Sequence, residues 1–123
     1  MKSPLRILHL EDNPADALLV RDQFASDELA AELRNVSRRE EFMQALEEGS
    51  WDLVLADYRL PDFNGLEALK LVRQKYPNLP FILMSGTLGE QAAIEILKGG
   101  ATDYILKQKR TAAGSRSRFC LRM

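Results

Sequence analysis

Short apolar runs alternate along the chain with stretches whose apolar residues recur at helical spacing. LRILHL (5–10) has the length and composition of a strand. Asn13 and Pro14 then open a helix, with the proline at its first position, that carries Ala15, Ala17, Leu18, Leu19 and Phe24. Residues 30–36 (AAELRNV) alternate weakly and predict a second, peripheral strand. Ser37 and Glu40 have the S-x-x-E spacing of a capping box ahead of Phe42, Met43, Ala45 and Leu46, and Gly49 is placed to end that helix. WDLVLAD (51–57) predicts a third strand. Asn64 and Glu67 repeat the cap spacing before Leu66, Ala68, Leu69, Leu71 and Val72, a helix face that finishes before Pro77. PFILMS (80–85) is nearly all apolar, as a strand covered on both faces is. Thr87 and Glu90 form another box, followed by Ala92, Ala93, Ile94, Ile96 and Leu97 and stopped by Gly99 and Gly100. ATDYILK (101–107) is the last strand.

Strict alternation of strand and helix with short loops predicts an α/β fold, a parallel sheet with helices on both faces. Ligands in such sheets sit outside the carboxyl ends of the strands. That rule gives meaning to the residues on which the apolar runs stop: Glu11 and Asp12, Asp57, Ser85 and Lys107. Three carboxylates, a hydroxyl and an ammonium at one edge make a site for a divalent cation and a phosphate. The cation screens the acids, while the hydroxyl and the lysine reach phosphate oxygens.

Length and charge narrow the picture. A chain of 123 residues is one domain with a core that needs no disulfide, and its single cysteine, Cys120, forms no intrachain bridge. The N-terminus reads as neither a signal peptide nor a membrane span, so a cytoplasmic location is expected. Residues 1–106 hold 18 acids and 11 basic residues, a balance of −7, whereas residues 107–123 hold 6 basic residues and no acid. A body that acidic is not expected to bind nucleic acid directly, and the basic end reads as a solvated tail.

Each candidate has a plainer reading. An acidic pair before a helix is favoured by the helix dipole whether or not it binds a metal. Asp57 changes that balance, because three neighbouring carboxylates repel unless a cation or proton intervenes, and a hard, oxygen-ligated ion such as Mg²⁺ suits them. Lys107 as an edge residue that merely snorkels, and Ser85 as a helix-entry residue, are the corresponding alternatives. Gly86 allows close backbone approach to a ligand. Tyr104 in isolation reads as core, and His9, inside the first strand, as a packed histidine.

HLEDNPAD, LVLADYRLPDFNG, FILMSGT and ATDYILK, in that order and spacing, resemble the receiver domain of bacterial two-component response regulators, from about residue 5 to residue 107. The motifs include the acidic pair, the D-x-x-x-P-x-x-x-G segment at Asp57, Pro61 and Gly65, the serine and the lysine. The resemblance implies a flavodoxin-like, doubly wound sheet of five parallel strands in the order 2-1-3-4-5. It also implies that Asp57 accepts a phosphoryl group from a histidine kinase or a histidine phosphotransfer protein. Mg²⁺ would be held by Glu11, Asp12, Asp57 and the backbone carbonyl of Arg59. Ser85 and Lys107, with the backbone of Gly86, would bind the phosphate oxygens. Tyr104 would turn inward when Ser85 moves, changing the surface offered to a downstream protein partner. Such a domain is a phosphoacceptor, not an enzyme, beyond catalysing its own phosphotransfer and slow dephosphorylation.

Two departures from the family pattern stand out. Gln108 follows the lysine where the family usually has proline, a feature similar to receivers joined to sensor or hybrid kinases in phosphorelays. Residues 108–123 form a basic tail in which Gly114 and two serines interrupt any final helix, so a weak or missing last helix is expected. An open apolar face would follow, and with it a homodimer or low stability. A chain of this length has no room for an output domain, which makes it either a freestanding receiver or a segment of a longer protein.

The rival readings are weaker. A pseudo-receiver, a phosphorylation-independent interaction module, has no use for the intact acid, serine and lysine set. An aspartyl phosphohydrolase wants a second acid two residues after the nucleophile, where this chain has Arg59. A nucleotide- or flavin-binding module lacks its glycine-rich loop after the first strand.

Overall fold

The structure, a computed structural model, describes residues 4–26, 30–85, 94–95 and 97–106. Its elements are β1 (Leu5–Leu10), α1 (Pro14–Ser26), β2 (Ala31–Val36), α2 (Arg39–Glu48), β3 (Leu53–Asp57), α3 (Gly65–Lys75), β4 (Phe81–Ser85) and β5 (Asp103–Leu106). The strands form one parallel sheet in the order β2-β1-β3-β4-β5. The expected doubly wound α/β topology is therefore present, with β2 at the edge beside β1 among the described residues.

Side chains alternate between the two sheet faces, and each face has its own core. Leu8, Leu10, Val54, Ala56, Phe81 and Leu83 pack with Phe42, Ala45 and Leu46 of α2 and Ala68, Leu69 and Val72 of α3. Ile7, Leu53, Leu55, Ile82, Met84 and Ile105 cluster on the other face with Val20 and Phe24 of α1. The open apolar face expected beneath a missing last helix is not found at these positions. Ile7 and Ile82 are 0% exposed and Leu55 and Met84 are 1% exposed, so the apolar surface of the first, third and fourth strands is covered at these residues. The last helix itself, the tail 108–123 and the Thr87 and Glu90 cap lie outside the described residues.

The helix boundaries follow local chemistry. Asn13 Oδ1 accepts from the backbone N–H groups of Ala15 (2.9 Å) and Asp16 (3.4 Å), capping α1 at the proline as expected. Asn64 Oδ1 accepts from Glu67 N at 2.9 Å and caps α3. The box at α2 differs from expectation by one residue: Arg38 is the N-cap, and its N–H donates to Glu41 Oε1 at 3.2 Å. Adjacent glutamates offer two registers, and the Ser37 N–H also donates to Glu41 Oε1, at 3.3 Å. Gly49 ends α2 at a φ of +74°. Two late carbonyls of that helix are satisfied by distant side chains, Ala45 O by Trp51 Nε1 (2.7 Å) and Leu46 O by Tyr76 Oη (2.8 Å). Ile94, Glu95, Leu97 and Lys98 are helical before Gly99 and Gly100, with Ile94 (43%) and Leu97 (42%) exposed.

Arg73 ties the far end of α3 to two other segments. Its guanidinium donates to Leu79 O (2.7 Å), to Gly100 O (2.7 and 2.9 Å) and to Tyr76 O (3.3 Å), and burial lowers its pKa from the ordinary value. Arginine stays charged throughout the neutral range even so. Replacing Arg73 by Ala is expected to cost about 2 kcal/mol in urea unfolding, since several carbonyls lose a charged donor. Arg73→Lys should recover less than half of that loss, because an ammonium cannot reproduce the fork.

Candidate functional site: an acidic cluster at the carboxyl edge of the sheet

The registers level the strand ends. Leu10 pairs with Ala56, Asp57 with Met84 and Ser85 with Leu106, so the residues at and just after these rungs share the carboxyl edge. Glu11, Asp12 and Asp57 meet there, each offering a carboxylate oxygen within 4.8 Å of the others. Glu11 is 1% exposed, Asp57 is half-buried and Asp12 is exposed, so the cluster runs from the sheet to the surface. Ser85 is buried at the end of β4, next to the rung of Asp57. The sequence-predicted residues Glu11, Asp12, Asp57 and Ser85 are thus assembled at one edge. His9 is buried two residues earlier on β1, as expected of a packed histidine. Gly86, Lys107 and the Tyr104 side chain lie outside the described residues; Leu106, the neighbour of Lys107, reaches the edge opposite Ser85.

The backbone around each acid is pinned. Glu11 N donates to Val36 O at 3.0 Å, and Glu11 Oε2 accepts from Asn13 N at 3.3 Å, which holds the carboxylate against the start of α1. Asn35 Nδ2 reaches both His9 O (3.1 Å) and Glu11 O (3.0 Å). Beyond Asp57 the β3–β4 ladder continues through Tyr58 N to Met84 O (3.0 Å). The loop then closes through Gly65 N to Tyr58 O (2.8 Å) and a bridge between Arg59 and Asn64. Gly65 must lack a side chain: a Cβ there would lie 2.4 Å from Leu83 Cδ1 and 2.9 Å from Asp57 O. Its place in the D-x-x-x-P-x-x-x-G segment thus has a steric cause, the close approach of α3 to the backbone of Asp57.

The same loop braces α2. Asp62 Oδ1 accepts from Arg39 N at 3.0 Å, and the Phe63 ring packs on Phe42 with centroids 5.9 Å apart. The roles of Asp62 and Asn35 were not visible in the sequence. An exposed Asn in a strand, a residue type depleted there, is the one signal that pointed to the second.

The donor set fits a divalent cation. It is all oxygen, carries up to three negative charges and is open on the Asp12 side, which suits a hard ion that retains waters. No helix among the described residues is long and apolar enough to cross a membrane.

Comparison with known proteins agrees with this arrangement. Residues 7–113 match the model of the response regulator receiver domain family. The chain is 34% identical over 101 residues to the response regulator protein FleR of Pseudomonas aeruginosa, covering 76% of this chain and 21% of FleR. It is 38% identical over 65 residues to the DNA-binding transcriptional regulator NtrC of Proteus hauseri, covering 53% of this chain and 14% of NtrC. The chain therefore spans about a fifth or less of the length of these two relatives. The phosphorylated cyanobacterial phytochrome response regulator RcpA superposes with a TM-score of 0.75 at 25% identity, over 86% of this chain and 82% of that one.

Mutual repulsion within the cluster predicts a gain on removing a charge. Each ionised pair at about this separation costs about 1 kcal/mol in a water-like dielectric, against a favourable helix-dipole contribution of about 0.5 kcal/mol for Asp12. Asp12→Asn should accordingly raise the metal-free stability by about 1 kcal/mol in urea unfolding with chelator, and should shrink the extra stability conferred by Mg²⁺. A destabilised metal-free variant would contradict the repulsive cluster.

Proposed function

The chain belongs to the response regulator receiver domain family, and we propose from this that Asp57 is a phosphoacceptor charged by a phosphohistidine of a histidine kinase or histidine phosphotransfer protein. The observation that carries the reading is the meeting of Glu11, Asp12 and Asp57 within 4.8 Å at the sheet edge, with Ser85 on the adjoining strand. A module that only bound proteins would have no need to hold three carboxylates against their repulsion, so the pseudo-receiver reading is disfavoured. The phosphorylated state of RcpA supports the same chemistry.

In the proposed reaction a carboxylate oxygen of Asp57 attacks phosphorus, in line with the phosphorus–nitrogen bond of the donor. The new oxygen–phosphorus bond forms as the old bond breaks, its electron pair returns to the imidazole nitrogen, and that nitrogen takes a proton. Asp57 needs no general base, being ionised at neutral pH. Gly65 and the Tyr58 bridges keep its backbone from retreating. A Mg²⁺ ion held by Glu11, Asp12 and Asp57, with the Arg59 carbonyl, would offset the charge of the transferred oxygens. Ser85 and Lys107, with the backbone of Gly86, complete the proposed phosphate contacts, and a rearrangement around Ser85 and Tyr104 is the proposed readout.

The domain is proposed to act as a cytoplasmic signalling element and not as an enzyme with a separate substrate. Its output would pass through a protein partner, since the acidic balance of residues 1–106 opposes direct contact with a nucleic-acid backbone.

With acetyl phosphate and Mg²⁺, the wild-type chain should gain the mass of one phosphoryl group, and hydroxylamine should release it as expected for an acyl phosphate. Asp57→Asn should show only background labelling by intact-mass spectrometry, and chelation of Mg²⁺ should silence the wild type as well. Equal labelling of the Asp57 variant would overturn the assignment.

A further inference from the structure

The parallel ladder between β1 and β2 has a regular rule. Leu5 pairs with Ala31 and its N–H donates to Ala30 O at 2.9 Å, and Glu11 N likewise donates to Val36 O at 3.0 Å. In such a ladder the carbonyl of each bonded β1 residue receives an N–H from the β2 chain two residues further on than the one to whose carbonyl its own N–H donates. For Glu11 that donor would be Arg38 N. It is not available to the ladder, because the chain has already turned into α2 and Arg38 N donates to Glu41 Oε1 at 3.2 Å.

Asn35 supplies the substitute. It sits on β2 opposite His9, and its side-chain nitrogen lies 3.0 Å from Glu11 O and 3.1 Å from His9 O. The peptide group is planar, so fixing Glu11 O also fixes the plane that carries Asp12 N and Asp12 Cα. One amide on the edge strand therefore sets the direction in which the chain leaves the sheet between two of the three clustered acids.

We infer that Asn35 is a positioning residue for the divalent-cation site: its side-chain amide replaces the missing ladder donor and holds the Glu11–Asp12 peptide at the angle that brings both carboxylates to Asp57. This rests on the reading of the acidic cluster as a cation site. Its weight is that of an outer-shell partner, whose loss costs about 10-fold in metal affinity.

The test is Mn²⁺ binding by calorimetry to the wild-type chain, Asn35→Ala and Asn35→Asp, alongside metal-free urea unfolding of each. Asn35→Ala should bind Mn²⁺ about 10-fold more weakly while its metal-free unfolding midpoint stays close to wild type. Asn35→Asp separates positioning from charge. It nearly preserves the shape and adds a negative charge near the cluster, which by charge alone tightens cation binding, yet its carboxylate faces two carbonyl oxygens and cannot hold them, so weaker binding is expected. Because it is nearly isosteric, it also keeps the inference falsifiable if alanine unsettles the edge strand. Wild-type affinity in the Ala variant, or tighter binding in the Asp variant, would overturn the role of Asn35 alone. Failure of the wild-type chain to bind Mn²⁺ would overturn the cation-site reading and the inference with it.

Discussion

The register between β1 and β3 is the constraint from which the site follows. Leu10 faces Ala56 across that pair, which leaves Glu11 and Asp57 at the next rung, where both strands stop. A slip of one residue would turn every side chain of one strand to the opposite face, removing Leu8 and Leu10 from the core they share with Val54 and Ala56. Apolar packing, which has no chemistry of its own, thus enforces the juxtaposition of two acids. Both faces of the sheet contribute, since Ile7, Leu53 and Leu55 occupy the second core on the same two strands.

Holding charges this close opposes folding. Oxygens within 4.8 Å repel by about 1 kcal/mol per ionised pair in water and by about 3.5 kcal/mol at an effective dielectric of about 20. Against a net stability of about 5–15 kcal/mol for an ordinary domain, that is a substantial local load. The fold meets it with backbone bonds that do not depend on the charge state: Glu11 N to Val36 O, Tyr58 N to Met84 O and Gly65 N to Tyr58 O. The acids are thereby kept at a separation that a cation can bridge.

The strands and the acidic edge were legible because both are written locally: runs of four to six apolar residues, each closed by a polar one. Helix starts at Asn13 and Asn64 were equally local. The α2 cap was misplaced by a residue because Glu40 and Glu41 offer overlapping boxes, and Glu41 is the one that reaches back to Arg38. Asn35 and Asp62 were illegible because their partners lie 24 and 23 residues away, beyond any spacing rule.

The segment from Tyr58 to Asn64 is fastened along much of its course: at Tyr58 to Met84 and Gly65, at Arg59 to Asn64, at Asp62 to the first turn of α2, and at Phe63 to Phe42. Surface loops ordinarily tolerate insertion and deletion. This one does not have that freedom, because adding or removing a residue would shift Asp62 or Phe63 off α2 or break the closure at Gly65. Its length is a structural quantity in its own right, and the chain can vary this stretch by exchanging side chains but not by changing how many residues span it.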